Sequence, residues 1–334
     1  MPVISGGKFV VVGGASQIGS HIGQQLLAAG AREVVLLDNL SLGSAGPLQP
    51  LLEDPRCTFV RGDVMRLTDL YDPLAHADGV FAVAGIMPKT MAEDPWAGID
   101  VNIRGVQNTL EACRYRGVKK VVLSSATGVY GATLDDPTTE DAPMRWQVMA
   151  PQTVLYVASK VIGETLAQMQ RQRHGLDYVA LRYSAVYGPR QHGRAMLGGH
   201  LAESCLRVRR GEPPVVDGDG RQVQDYIYVD DVARANLMAM ESAVTGEAIN
   251  ICTGRDTSQA RIVELVLQAS GSSLQPAYRP SAAAPPWYAL KVGLSREKAK
   301  LLLGWEPEVS IEQGVTNVLR WVDQERALAA SPIG

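Results

Sequence analysis

The 334-residue chain has little of what marks special environments. Its four cysteines, Cys57, Cys113, Cys205 and Cys252, lie far apart with no CxxC pair. That spacing excludes a disulfide framework and a thiolate metal cluster, and it points to buried free thiols in a reducing, cytoplasmic compartment. No metal is expected. No apolar run approaches the ~20 residues that span a bilayer. The first strand-like run begins within about seven residues, which leaves no room for a secretory signal. A net charge of −3 offers no basic surface to nucleic acid or to anionic lipid, so neither is expected as a partner. Internal repeats and low-complexity segments are also missing. What is present, 46% hydrophobic and 20% charged residues, suits a soluble protein with a large core, in one large domain or two intimate ones.

Against that background one stretch is informative. The run Val10-Val11-Val12 breaks into Gly13-Gly14-Ala15-Ser16-Gln17-Ile18-Gly19, and Val34-Val35-Leu36-Leu37 ends on Asp38 nineteen positions later. Small residues let a backbone approach a pyrophosphate, and the helix that follows offers unpaired N–H groups. The carboxylate suits ribose hydroxyls. A glycine-rich turn alone is an ordinary tight turn. The strand before it and the acid beyond it turn the reading toward a dinucleotide. No basic residue lies between Asp38 and Arg56, which favours NAD over NADP.

Strand-like and helix-like segments alternate through the first half. Helices are expected over 18–29, 95–116 and 151–174, with strands over 33–38, 58–61, 80–83, 119–125 and 178–183. This alternation predicts an α/β fold, a doubly wound parallel sheet with helices on both faces and ligands at the carboxyl ends of the strands. From about Gly188 the pattern loosens, with a break at 282–286 and helices expected over 230–241, 259–269, 296–303 and 311–326. The expected division is a dinucleotide-binding domain over 1–185 and a smaller mixed substrate lobe over 186–330, with some chain returning to the first.

Tyr156-Val-Ala-Ser-Lys160 places a phenol and an ammonium on one helical face. A nearby cation favours phenolate, and the spacing therefore predicts a tyrosine lowered toward neutrality as proton acceptor. The alternative is a packed tyrosine one turn from a solvated lysine. Ser124-Ser125-Ala126-Thr127 ends the preceding strand, where hydroxyls either meet a substrate oxygen or cap a turn.

These motifs continue through Leu37-Asp38-Asn39-Leu40, Gly62-Asp63-Val64, Asn102, Val129-Tyr130-Gly131, Leu181-Arg182-Tyr183, 186–191, 225–232 and 303–307. Together they resemble the extended short-chain dehydrogenase/reductases, typified by nucleotide-sugar 4-epimerases, over nearly the whole length. The resemblance implies a Rossmann-like fold and a tightly held NAD. It places Gly13, Ser16, Gln17, Ile18 and Gly19 at the pyrophosphate and Asp38 with Asn39 at the adenine ribose. Asp63 and Val64 would edge the adenine, and Ala84, Gly85 and Asn102 would line the path to the nicotinamide. Lys160 would bond the nicotinamide ribose and tune Tyr156. It further implies a homodimer paired through 95–116 and 151–174, where Leu155, Ile162, Leu166 and Met169 form a stripe.

The chain also departs from that pattern. Ser16 replaces a loop glycine, and its hydroxyl is a candidate phosphate contact. Ala126 occupies the usual catalytic Ser/Thr position, so the role passes to Ser125, to Thr127 or to water. Thr127-Gly128 stands where dehydratases and decarboxylases carry acidic patterns, which argues against both. Ala185, Gln224 and a residue near Ala282 replace groups that anchor a diphosphate. Compensating cations are then sought among Arg190, Arg194, Arg221 and Arg279, with Arg190 and Arg221 as substrate-binding candidates.

The expected function is NAD-dependent epimerisation of a nucleotide sugar by transient hydride transfer. The alternative is an NAD-dependent dehydrogenase or reductase of a non-nucleotide secondary alcohol or ketone. A third reading, a redox sensor or scaffold, is disfavoured by the intact Tyr156 and Lys160.

Overall fold

The computed structural model describes every residue except 43–44, 132–135, 148, 192–198, 281–292 and 331–334, with only the backbone at 199 and 326–330. The first half runs β1 (Lys8–Val12), α1 (Gln17–Ala28), β2 (Glu33–Asp38), α2 (Gln49–Leu52), β3 (Cys57–Arg61), α3 (Leu67–Leu74), β4 (Gly79–Ala82), α4 (Pro88–Glu93) and α5 (Pro95–Ile99). A π-helical turn, Asp100–Gly105, leads into α6 (Val106–Arg116) and β5 (Lys120–Ala126). A 3₁₀ turn, Thr127–Tyr130, precedes α7 (Pro151–His174) and β6 (Asp177–Tyr183).

The second half holds β7 (Ala185–Tyr187), α8 (Gly199–Arg209), β8 (Val215–Asp217), β9 (Val223–Tyr228), α9 (Val229–Glu241) and β10 (Glu247–Ile251). It ends with β11 (Asp256–Ser258), α10 (Gln259–Ser270), β12 (Ala277–Arg279), α11 (Glu297–Leu303) and α12 (Ile311–Ala330).

Seven strands form one sheet in the order β10-β6-β5-β4-β1-β2-β3. All its pairings are parallel. Both faces are buried, which is why the strands read as near-continuous Val/Leu runs instead of alternating. Phe9, Val11, Leu36, Phe81 and Val122 point to one face, against Ile22 and Leu26 of α1 and Val232 of α9. Val10, Val12, Leu37, Val80 and Leu123 point to the other, against Leu70 of α3, Leu110 of α6 and Ala167 of α7. Each such residue fully removed from water contributes ~1.5–3 kcal/mol. The strand order reverses between β1 and β4, so the crevice for a ligand opens at the carboxyl ends of those two strands.

The second half adds a mixed three-stranded sheet, β11-β9-β7, and a parallel pair, β12-β8. Tyr187 packs edge-on against Tyr228 at 5.5 Å in a core closed by α8, α10 and α12. Two pieces of this half return to the large sheet: β10 pairs with β6, and α9 joins α1 over its face.

The expected single helix over 95–116 is instead α5, the π turn and α6. Two close approaches account for the irregular turn. A Cβ on Gly98 would meet Met91 at 2.6 Å, and one on Gly105 would meet Val64 at 2.6 Å. Between them Asn102 turns inward to the chain after β4. The break at 282–286 lies outside the described residues.

Candidate active site

The loop after β1 closes on itself. Gly13 holds φ +89°, and a Cβ there would lie 2.5 Å from the Ala84 nitrogen; a Cβ on Gly19 would lie 2.2 Å from the Gly13 carbonyl oxygen. Only glycine fits either place. Ser16 donates its hydroxyl proton to the Gly13 carbonyl at 2.6 Å and accepts from the Gly19 N–H at 3.1 Å, capping α1. The expectation that this hydroxyl meets a phosphate is therefore corrected: Ser16 shapes the loop and is spent inside it. Gln17 sends its amide to the carbonyls of Gly188 (2.9 Å) and Pro189 (3.2 Å), tying the loop to the second half. What the first turn still offers a ligand is the set of backbone N–H groups at Gln17 and Ile18, which a helix leaves without intrahelical partners.

Asp38 ends β2, half-buried, and accepts from Ala15 N–H at 3.1 Å and Leu40 N–H at 2.8 Å. Asn39 donates to Asp63 at 3.3 Å, and Asp63 accepts from Met65 N–H at 2.9 Å, so these residues form one rim. Val64 is buried beside Gly105, with its carbonyl taken by Asn108. Arg61 is the in-register neighbour of Asp38 on β3 and is exposed, a proximity that counting along the chain does not reveal.

On the other side of the crevice, Asn102 accepts from Ile86 N–H at 2.7 Å and donates to the Ile86 carbonyl at 2.9 Å and to Ser159 at 3.2 Å. It thus braces the chain after β4 against α7. Beside it Gly85 leaves room, since a Cβ there would come 3.3 Å from Lys160 Nζ and 3.5 Å from Asn102 Oδ1. Ala84 hangs from β1 through its N–H to Val12.

Tyr156 is buried in an apolar cluster with Ile86, Met91, Ala126, Val129 and Cys252. Lys160 Nζ lies 5.6 Å from its ring centroid and donates to the Ser124 carbonyl at 3.2 Å. The expected lowering of the tyrosine is corrected here. Burial pushes the Tyr156 phenol well above its ordinary value, and the Lys160 ammonium is seated on the Ser124 carbonyl. Burial also pushes Lys160 down to about 8, opposed by the charge of Glu164.

The candidate hydroxyls separate. Ser125 donates to Glu164 at 2.6 Å, so its proton is committed toward α7; its assignment as the substitute for Ala126 is corrected. Ser124 is bonded to Tyr183 OH at 3.2 Å. Thr127 keeps only a long bond, 3.3 Å, to the Tyr183 carbonyl and is half-buried at the strand end.

Two of the arginine candidates for the substrate, Arg221 and Arg279, are paired with carboxylates. Arg221 is 78% exposed and bonded to Asp219 at 2.6 Å, held at the tip of its own turn. Arg190, at φ +61° and half-buried, reaches Gln24 of α1 with Nη2 at 2.8 Å, while its Nη1 is buried with no hydrogen-bond partner among the described residues. Arg279 pairs with Asp217 at 2.8 Å. Arg194 and Ala282 lie outside the described residues. Ala185 is buried in the second-half core, and Gln224 pairs across β9 and β11 with Thr257. Glu164 escaped the sequence reading, although its position four residues beyond Lys160 on the same helix face was visible.

Residues 9–252 match the model of the NAD dependent epimerase/dehydratase family. The chain is 34% identical over 321 residues to the UDP-glucose 4-epimerase of Mycolicibacterium smegmatis, covering 94% of this chain and 98% of that one. Among solved structures it is similar to the UDP-glucose 4-epimerase of Thermotoga maritima, crystallised with UDP-glucose, with a TM-score of 0.84 and 32% identity over 96% of this chain and 99% of that one. It is also similar to the UDP-glucuronic acid 4-epimerase of Bacillus cereus in complex with UDP-glucuronic acid and NAD, with a TM-score of 0.82 and 29% identity over 95% and 99% of the two chains.

Proposed function

The chain belongs to the NAD dependent epimerase/dehydratase family, and on that premise we propose that it epimerises a nucleotide sugar through transient oxidation of a carbinol. It is an enzyme, and NAD is its cofactor. The residues present suit that group. Gly13 and Gly19 admit no side chain, the first turn of α1 carries backbone donors without intrahelical partners, and Asp38 stands half-buried at the end of the neighbouring strand. Asp63 and Val64 would border the adenine, and Gly85, Asn102 and Lys160 the nicotinamide end. When bound, NAD supplies a reversible hydride acceptor.

The rest is the work of the chain itself. Tyr156 takes the substrate hydroxyl proton and later returns it. A phenol in so dry a pocket ionises only beside positive charge, and Lys160 is the cation that α7 provides. Thr127, the least committed hydroxyl of its strand end, takes the place that Ala126 leaves without one. The lobe over 186–330 closes on the domain over 1–185, fastened by Gln17 to Gly188 and Pro189. The single observation that carries the proposal is the Tyr156–Lys160 pair, with Lys160 beside Gly85 in the segment whose Ala84 packs on Gly13, in a chain similar to 4-epimerases over nearly its full length.

One observation favours a second reading, net oxidation or reduction of a non-nucleotide alcohol. Ala185, Gln224 and the pairing of Arg221 with Asp219 leave the usual diphosphate anchors without charge. Incubation with UDP-glucose and UDP-galactose decides between them. Exchange of the two isomers without net NADH supports the epimerase, and net NADH from a simple carbinol supports the other.

We further propose a homodimer in the cytoplasm. Ile162 and Met169 on α7 are each 38% exposed, and Trp96 on α5 is 78% exposed, whereas Leu155 and Leu166 turn toward the core. The free, buried cysteines suit a reducing compartment. A monomer by light scattering at micromolar concentration would refute the dimer.

A further inference from the structure

Lys160 is useful to Tyr156 only while it carries its proton, and its surroundings work against that. Burial lowers it, while one carboxylate opposes the effect. That carboxylate belongs to Glu164, one turn further along α7, with a side chain 12% exposed. Two strands converge on it. Arg182 of β6 donates from Nε to Oε1 at 2.9 Å and from Nη2 to Oε2 at 2.7 Å, and Ser125 of β5 donates to Oε1 at 2.6 Å. Arg182 is itself fixed from behind: its Nη1 donates to Tyr130 OH at 2.9 Å and to the Glu140 carbonyl at 3.1 Å. Tyr130 in turn donates to Asn250 at 2.6 Å. A buried ion pair adds little net stability over an apolar pair of the same shape, so stability alone is a poor reason to find one here.

We propose that Glu164 is a positioning residue for the reaction: from one turn along α7 it keeps the Lys160 ammonium charged and seated on the Ser124 carbonyl, while Arg182 and Ser125 hold its carboxylate ionised and aimed. The inference rests on the reading of Tyr156 and Lys160 as the proton-transfer pair. Among the described residues the groups facing Lys160 are few. On α7 they are Tyr156 and Glu164; from β5 comes the Ser124 carbonyl, and from the π turn Asn102 Oδ1, across Gly85. From β6, Arg182 spends its charge on Glu164, and the Tyr183 hydroxyl is taken by the Ser124 hydroxyl and by Asn236, to which it donates at 2.9 Å. Glu164 is the anion among them. Removing its charge leaves burial unopposed, so Lys160 loses its proton at lower pH and Tyr156 loses its cation.

The test titrates Lys160 directly in the intact protein, with lysines ¹³C-methylated and the Lys160 signal assigned by its loss in Lys160→Met. In Glu164→Gln the midpoint should fall by about one pH unit. Glu164→Asp should restore most of it. Because Glu164→Gln strands the Arg182 charge and risks misfolding, the double variant Glu164→Gln/Arg182→Gln is measured beside it. The double variant removes the stranded cation as well, so the proposal predicts a folded protein whose midpoint lies between those of Glu164→Gln and the wild type. The alkaline limb of kcat against pH should move the same way as the midpoint. An unmoved midpoint in folded Glu164 variants overturns the inference. Undiminished turnover in Tyr156→Phe overturns the underlying reading instead, and the substrate-free titration keeps the two results separate.

Discussion

Replacing Asp38 by Asn should erase the preference for NAD over NADP, and the size of the effect follows from its surroundings. The Asp38 carboxylate accepts from Ala15 and Leu40 N–H groups and is half-buried, which leaves its remaining lone pairs for two ribose hydroxyls. A hydrogen bond to a charged acceptor contributes about 1.5–3 kcal/mol, taken here at the low end because the site is partly open to water. Loss of the charge should therefore weaken NAD by roughly 2–3 kcal/mol, a factor of about 30–150. Toward NADP the wild-type carboxylate is repulsive. At about 5 Å and an effective dielectric near 40, each unit of phosphate charge costs about 2 kcal/mol. Arg61, in register with Asp38 on β3 and exposed, should offset part of that. Asp38→Asn should thus bind NADP at least as well as the wild type does while losing NAD. Calorimetric titration of both cofactors into both proteins measures the four affinities. Wild-type protein that prefers NADP, or a variant with an unchanged ratio, would refute the reasoning.

Tyr156→Phe keeps the ring in its apolar cluster and removes the proton acceptor, so kcat should fall by about 10² or more with NAD affinity nearly unchanged; steady-state kinetics beside cofactor titration checks both. Arg221→Ala should leave kcat/KM within about twofold, since the side chain is exposed and spent on Asp219, whereas a drop above tenfold would return it to the substrate site. Lys120 is buried, donates to the Ser242 carbonyl at 2.7 Å, and is pushed by burial down to about 8. Its folded value lies below its unfolded one, so between pH 8 and 10.5 the unfolded chain holds more protons and the wild type gains stability as pH rises. Urea unfolding of wild type and Lys120→Met should show the difference between them change by about 2–3 kcal/mol over that window, and parallel curves would contradict the assignment.

The large sheet was readable because its physics is local. A strand covered on both faces must be apolar throughout, and Val10–Val12, Val34–Leu37 and Val121–Leu123 are. The interruption of the helix over 95–116 was not readable, because it comes from partners far away in sequence: Met91 against Gly98, Val64 against Gly105, and Ile86 holding Asn102. Strands of three residues such as β7, β8, β11 and β12 carry too few positions to show a period, and the second half stayed vague for that reason.

At the candidate site, the proximity of residues was readable and the direction of their bonds was not. The spacing puts Tyr156 and Lys160 on one helix face, but whether the phenol is lowered or raised depends on how deeply it is buried, and burial raises it. Ser125 looked free for a substrate because adjacent strand residues differ only in the face they point to. Its neighbour across α7 is Glu164, and that settles the face. The same carboxylate explains why the strand end has so few free hydroxyls: Ser125 serves Glu164, Ser124 is bound to Tyr183, and Ala126 has none, so Thr127 is left with the weakest prior engagement. Chemistry at this crevice therefore depends less on how many hydroxyls the motif contains than on which one the packing of β5 against α7 leaves free.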